Sequence, residues 1–468
     1  MRLLFSFIIS LLFYSSAKAQ SLFTHGKLQI TDNGHYLQFA DGTPFFWLGD
    51  TGWELFHRLN LSEIKQYLDN RAAKGFTVIQ AVALAEFDGL RKPNQYGEVP
   101  LKNLNPVTPN DKYYEVIDSA VHMARRLNLF IGLLPTWGDK VTKGWGEGPV
   151  VFDSINAYIH GKWIGNRYKS EPNVIWILGG DRPAIRDSAD WRPIWRAMAK
   201  GIIDATNGQC IITYHPSGGS NSTSQWIGNE KWLDINMFQS GHGGGHDVAC
   251  WDLVHRDFNY QPAKPTLDAE PNYEDHPVNP WPKWNPDNGY YRVYDVRKQC
   301  YRSVFAGACG VTYGHHAVWQ FMNAREEAIN YPDRGWINAM DRPGASQIGY
   351  LKKLIQSRPM LNRVPDNSMI INGQGDKGEH IEAFHDNGNT YSMFYLPVGK
   401  TITVNTSIFP KKITAWWFNP RDGSVQKIAI AAVTNRMEFT PPATGVENDW
   451  VLVIDDASLN YAAPGKPL

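Results

Sequence analysis

The stretch Phe45-Phe46-Trp47-Leu48-Gly49-Asp50-Thr51-Gly52-Trp53 decides between two ways of building an α/β protein. A short apolar run ending in glycine reads as a buried strand. In a doubly wound open sheet, the first strand opens into a Gly-x-Gly-x-x-Gly turn that cradles a pyrophosphate. Here Gly49-Asp50-Thr51-Gly52-Trp53 sets an acid, a hydroxyl and an indole where that turn would stand. No dinucleotide fingerprint is present, which leaves a closed barrel as the better arrangement.

Seven further strand-length apolar runs follow, at 77–84, 129–135, 174–178, 211–214, 235–238, 265–269 and 311–314. Amphipathic helical stretches lie between most of them, among them 61–74, 113–128, 190–206 and 292–308. Strands alternating with helices imply a parallel sheet, and eight such units predict a (β/α)₈ TIM barrel. A short strand region, 28–39, precedes the barrel, and a helix at 346–357 closes the repeat. The period then changes from helical to two. Runs such as Tyr391-Ser392-Met393-Phe394-Tyr395 and Trp450-Val451-Leu452-Val453-Ile454 alternate with turns such as Asp386-Asn387-Gly388-Asn389. This predicts a small C-terminal β-sandwich. The expected boundaries are 20–360 for the barrel with its strand region and 361–468 for the sandwich and tail.

Residues 1–19 read as a signal peptide: Arg2, an apolar run from Leu3 to Tyr14, and Ala17-Lys18-Ala19 as the cleavage pattern. No cysteine stands near the cleavage site to take a lipid. A periplasmic or secreted protein is expected, with no membrane insertion after signal cleavage. The chain carries 46 basic and 46 acidic side chains, so no basic surplus points to nucleic acid. Eighteen Trp, 21 Tyr and 21 Phe are an unusual supply of flat apolar faces, which suit sugar rings as well as cores. Cys210, Cys250, Cys300 and Cys309 permit three pairings, but a chain this long can stand without staples. Mostly buried thiols are the expectation.

Catalysis in such a barrel sits where strands end and βα loops begin. Asp181 follows the fourth predicted strand in Ile177-Leu178-Gly179-Gly180-Asp181-Arg182, and Glu270 the seventh in Leu267-Asp268-Ala269-Glu270-Pro271. Two acids across a barrel mouth are what glycoside hydrolysis requires, one to protonate the leaving oxygen and one to attack or to activate water. The competing reading for each is a helix cap or an arginine partner, with Arg182 beside Asp181. Asp50, Trp53, Glu86, Trp137, His215, His242 and Trp319 also follow strands and are expected to bind substrate. Trp145 could stack on a sugar, and Trp416-Trp417 could form a platform, with at most one of the pair on a given face. His242, His246 and Asp247 in the glycine-rich loop, with His315-His316, could in principle converge on a metal. None matches a helical zinc spacing, so no metal and no cofactor is expected. Neither a phosphate-cradling loop nor a Gly-x-Ser-x-Gly elbow is present, which disfavours phosphoryl and acyl transfer.

Three motifs together resemble the apiosidase-like glycoside hydrolases: Leu37-Gln38-Phe39-Ala40-Asp41-Gly42-Thr43-Pro44-Phe45-Phe46-Trp47-Leu48-Gly49-Asp50-Thr51, Trp176-Ile177-Leu178-Gly179-Gly180-Asp181, and Asp268-Ala269-Glu270-Pro271-Asn272-Tyr273-Glu274. The resemblance spans residues 24–455. It implies an exported (β/α)₈ enzyme with a C-terminal sandwich sometimes labelled collagen-binding-like. It further implies hydrolysis of apiosyl linkages in the pectin rhamnogalacturonan II, with Asp181 as acid/base and Glu270 as nucleophile. In the wider barrel-glycosidase clan a Glu after Asn usually holds the acid/base place, whereas here it is Gly180-Asp181. The expectation is a retaining glycosidase whose partner is a plant cell-wall oligosaccharide or polysaccharide. An endo-acting, cellulase-like β-glycanase and a non-catalytic glycan-binding protein are the alternatives.

Overall fold

The computed structural model describes residues 21–219, 221–410, 412–430 and 432–468; the expected signal peptide lies outside them. Eight strands form one parallel sheet: β1 (Trp47–Thr51), β2 (Val78–Val82), β3 (Phe130–Leu134), β4 (Val174–Leu178), β5 (Ile212–Tyr214), β6 (Asn236–Phe238), β7 (Thr266–Asp268) and β8 (Gly310–Tyr313). Pairing runs in chain order, β8 returns to β1, and a parallel bridge between Thr213 and Ile235 joins β5 to β6 and closes the barrel. A helix follows each strand: α1 (Leu61–Ala73), α2 (Asp111–Arg126), α3 (Ser154–Tyr168), α4 (Arg192–Thr206), α5 (Thr223–Ile227), α6 (Cys250–Phe258), α7 (Val293–Phe305) and α8 (Pro343–Gln356).

The strands read as continuous apolar runs because both faces are covered. Val78, Val82, Phe130, Leu134, Ile175 and Ile177 fill the barrel interior. Their neighbours Ile79, Ala81, Ile131, Leu133, Trp176 and Leu178 face the helices instead. Successive side chains on a strand point to opposite faces, so one run serves two layers. Local chemistry starts the helices. The Asn60 side chain accepts from the Ser62 and Glu63 N–H groups while Glu63 returns to the Asn60 N–H, and Asp153 with Asn156 does the same for α3.

The first strand begins two residues later than the sequence suggests. Pro44–Phe45 pairs with Leu37–Phe39 in a small antiparallel sheet whose Phe39 and Phe45 pack on Phe130, the first residue of β3. That sheet covers the barrel floor, opposite the mouth.

The C-terminal part is a two-layer antiparallel sandwich of a six-stranded and a three-stranded sheet. Phe394, Leu396, Trp417 and Leu452 fill the space between the layers. Tyr391, Met393, Tyr395 and Val453, on the other face of the larger sheet, join the core that the barrel helices share. Arg297 on α7 makes a bidentate pair with Asp449, and Arg358 does so with Asp455, both pairs buried at this junction. Trp416-Trp417 is therefore no sugar platform. Trp417 lies in the sandwich core and Trp416 packs towards the barrel, as strand alternation requires. The four cysteines are free thiols, three of them buried.

Candidate active site

The mouth holds a cavity of about 640 Å³, walled by Trp53, Trp137, Trp145, Trp281 and Trp319 and reached by Glu86, Asp181 and Glu270. Most of the chain's tryptophans are inside the protein; Trp145, 39% exposed, and Trp281, 56% exposed, both stand at this cavity. An indole left in water at a pocket edge retains an apolar face for a ligand.

Glu270 lies two residues beyond β7. Its backbone carbonyl accepts from Gly241 N–H at 2.9 Å, which ties the β6 and β7 loops together. Its carboxylate sits between two imidazoles: His215 Nε2 is 3.1 Å from Oε2 and His242 Nε2 is 3.1 Å from Oε1. Burial alone would raise this carboxyl, but the two histidines outweigh it and hold it down at about 2. His215 extends β5, donating its backbone N–H to Leu178 at 2.7 Å. Its buried ring meets the Trp53 ring edge to face at 5.3 Å. His242 takes a left-handed backbone (φ 75°), donates its N–H to Asn272 Oδ1 at 2.6 Å, and stacks on His276 at 4.3 Å. Left-handed geometry at a non-glycine residue is strained, and here its effect is to aim the ring at Glu270.

Asp181 is placed by a second strained turn. Gly179, Gly180 and Asp181 are left-handed in succession, with φ of 90°, 72° and 55°. Glycine is required at 180 for a further reason: a Cβ there would lie 2.7 Å from the Gly138 nitrogen. The β3 and β4 loops thus touch backbone to backbone, joined by Gly138 N–H to the Gly180 carbonyl at 3.0 Å. Trp145 Nε1 donates to Asp181 Oδ2 at 2.8 Å, and Arg182 Nη1 lies 3.2 Å from the same oxygen. The Arg182 guanidinium also lies 4.2 Å from the Trp145 ring centroid and bonds the Trp145 carbonyl. Burial, then the charge of Glu270, raises Asp181 to about 6 despite Arg182 and Trp145.

Glu86, after β2, is a third carboxyl. Burial, then the charges of Asp181, Glu54 and Asp139, push it up to about 8, so it is neutral at pH 7 and can donate a hydrogen bond to a hydroxyl.

Trp53, Glu86, Trp137, Asp181, His242, Glu270 and Trp319 all come together at the cavity. His215 stands behind Glu270, where it contacts the carboxylate rather than the open space. Asp50 is a correction. Strand alternation turns it outward from β1 into the helix layer, where it is fully buried and bonded to Tyr67 Oη at 2.5 Å and Arg71 Nε at 2.6 Å. Three histidines of the metal reading go to separate carboxylates, His242 to Glu270, His246 to Asp295 and His315 to Asp275, and His316 bonds the Asn330 carbonyl. Asp247 pairs with Lys298. Sequence reasoning missed Tyr273, His276, Trp281 and Asn330 at the cavity, and the donor role of Trp145. They sit on irregular loops with no periodicity to mark them. The place of Tyr273 and His276, three and six residues after Glu270, was the one available hint.

One carboxyl held ionised and another held protonated to about pH 6, inside one aromatic-walled cavity, suit cleavage of a glycosidic bond. Comparison with known proteins agrees. The family model for the apiosidase-like catalytic domain matches residues 31–362, and that for a collagen-binding domain of a collagenase matches residues 364–455. A solved structure described as a glycoside hydrolase is 33% identical, with 94% of this chain and 99% of that chain covered and a TM-score of 0.85. A crystal structure of a glycoside hydrolase family 5 protein from Bacteroides vulgatus ATCC 8482 is 31% identical over 95% of this chain and 96% of that one, with a TM-score of 0.86. A further glycoside hydrolase structure from that strain, 14% identical with a TM-score of 0.61 over 92% of this chain and 82% of its own, shares the fold. No curated protein matches the chain. The chain belongs to the apiosidase-like family and is a glycoside hydrolase.

Proposed function

We propose that this enzyme hydrolyses apiosyl linkages in the plant cell-wall pectin rhamnogalacturonan II, with retention at the anomeric carbon. The family supports the sugar. One observation carries the mechanism: inside one cavity Glu270 is held down at about 2 and Asp181 is lifted to about 6, so between those values one is ionised and the other protonated. Glu270 attacks the anomeric carbon as the bond to the leaving oxygen breaks, and Asp181 gives that oxygen its proton. The covalent glycosyl ester then meets water. Asp181, now ionised, takes a proton from the water as its oxygen bonds the anomeric carbon and Glu270 leaves. His215 and His242 fix the nucleophile's orientation and keep it ionised. Glu86, Asn330 and the tryptophans meet hydroxyls and ring faces.

Residues 1–19, which read as a leader, support a periplasmic or secreted setting for this activity. The sandwich, packed through its larger sheet on the barrel, is read as a support for α7 and α8 rather than as a collagen binder.

The test is to incubate wild-type protein and Glu270→Ala with rhamnogalacturonan II and with β-glucan, and to identify released sugars by chromatography and mass. Release of an apiose-terminated fragment by wild type alone is expected, with NMR showing the first anomer to match the substrate. Release from β-glucan would move the activity to an endo-β-glycanase. The opposite first anomer would mean inversion. Unchanged turnover in Glu270→Ala would remove Glu270 from the chemistry.

A further inference from the structure

The two histidines on Glu270 are anchored differently. His215 extends β5, so a barrel strand holds its ring. His242 stands on the loop after β6 in a left-handed turn, and a loop residue needs an anchor from outside. Asn272 supplies it. Asn272 Oδ1 accepts the His242 N–H at 2.6 Å and its Nδ2 donates to the Gly245 carbonyl at 3.2 Å, so one side chain grips both ends of the turn. Asn272 is held in turn by Gln299 on α7, whose Oε1 accepts the Asn272 backbone N–H at 3.1 Å. Gln299 Nε2 donates to Ser240 Oγ at 2.6 Å, and Ser240 Oγ donates to Asp268 Oδ2 at 2.6 Å. Ser303, also on α7, donates to that same oxygen at 2.8 Å. All of these side chains are buried.

Gln299 joins the loops because an amide carries an acceptor and a donor at one end without charge. Its acceptor takes the β7 loop and its donor the end of β6. The helix beneath it is fixed from the other side. Tyr294, Arg297 and Tyr301, at i, i+3 and i+7, face the sandwich: Tyr294 Oη donates to the Pro397 carbonyl at 2.9 Å, Arg297 holds Asp449, and Tyr301 stacks on Tyr395 at 4.8 Å. Gln299 and Ser303, four apart, occupy the opposite face of the helix. Gln299 does not line the cavity, so it acts on substrate only through other residues.

We infer that Gln299, on a helix clamped by the sandwich, is a positioning residue for the reaction: through Asn272 it keeps the His242 ring on Glu270. Without it, the Asn272 N–H loses its acceptor and Ser240 a donor, and the turn is free to carry His242 away from Oε1. The effect on turnover rests on the reading of Glu270 as nucleophile. The hydrogen bond itself is readable without substrate.

NMR of the full chain with labelled histidine tests this. Glu270 is ionised and can only accept, so the Nε2 atoms facing it carry protons, and each gives an imidazole N–H signal. His242→Phe identifies the signal of His242. Gln299→Met keeps the shape and removes both polar ends; it is expected to abolish the His242 signal through solvent exchange while the His215 signal, set by β5, stays. Gln299→Asn keeps the polar ends but withdraws them by a methylene, and should weaken the same signal alone. On rhamnogalacturonan II, kcat of Gln299→Met should fall about 10- to 100-fold with KM within about twofold of wild type. Adding Gln299→Met to His242→Phe should cost nothing further, because both changes cut one link. An unchanged His242 signal, equal loss of both histidine signals, or additive losses in the double variant overturns the inference. Failure of the catalytic reading has a separate signature: Glu270→Gln would keep full turnover while the His242 signal of the otherwise wild-type chain still depended on Gln299.

Discussion

The two sides of the barrel mouth treat a carboxyl in opposite ways. On the β5–β7 side, Glu270 has an imidazole nitrogen 3.1 Å from each oxygen, and it stays ionised down to about pH 2. On the β3–β4 side, both neighbouring donors, Trp145 and Arg182, address the single oxygen Oδ2, and burial beside the Glu270 charge lifts Asp181 to about 6. Burial is the largest influence on both residues, so burial does not separate their roles. What separates them is how the two donors are shared between the oxygens and whether the stronger charge influence is of like or unlike sign. Proton placement is therefore built by the loops, while the strands supply only position.

The largest effect should come from the Glu270 side. Glu270→Gln keeps the shape but removes the nucleophile, and kcat is expected to fall by about four orders of magnitude or more. A loss of tenfold or less, in single-turnover measurements on released sugar, would erase the distinction between the sides. Asp181→Asn should cost less, about 10²- to 10⁴-fold, since it removes proton transfer and not the bond-forming group. Its loss should shrink on an aryl glycoside whose nitrophenolate departs without a proton.

The pH profile reads the same contrast. Asp181 serves as acid only while protonated, so kcat/KM of the wild type should fall as pH rises through about 6. Glu270 stays ionised above about pH 2, and no limb from it is expected in the range where the protein is assayed. Trp145→Phe keeps a ring over Arg182 but removes the N–H that favours the ionised form of Asp181. The basic limb should then move up by about one pH unit. An unmoved limb with lower kcat would make Trp145 a wall of the cavity and nothing more. Glu86→Gln is the accompanying control, because Glu86 faces Asp181 and itself titrates near 8.

Much of the barrel was legible because one physical pattern repeats eight times: a short apolar run, then an amphipathic helix. The offset of the first strand shows the limit. Phe45 and Trp47 are equally apolar, and only the pairing of Pro44–Phe45 with Leu37–Phe39 tells which one enters the barrel. The cavity acids Asp181 and Glu270 were legible from position at strand ends. The orientation of a strand-end residue was not. Asp50 occupies the same kind of place, yet parity along β1 turns it away from the mouth, and parity follows from barrel register rather than from composition. Trp281 and the donor role of Trp145 were hidden for another reason. Loops carry no period, and an indole's partner is fixed by backbone turns such as the left-handed run from Gly179 to Asp181.

Asp50 offers the smallest expected effect on turnover and the sharpest control on the comparison. It is a strand-end carboxylate like the catalytic two, but its partners are Arg71 and Tyr67 in the helix layer, and both members of the Asp50–Arg71 pair are fully buried. Removing one partner from such a pair leaves an uncompensated charge in the interior. Asp50→Ala should therefore lower unfolding stability by about 3–5 kcal/mol, read by denaturant titration. Turnover per folded molecule should stay at the wild-type level, since no Asp50 atom reaches the cavity wall. A fall in kcat with stability intact would mean that β1 transmits Asp50 to Trp53 and the substrate, and the mouth would then have a third chemical side. A fall in stability with kcat intact would confine the chemistry to the carboxyls that face inward.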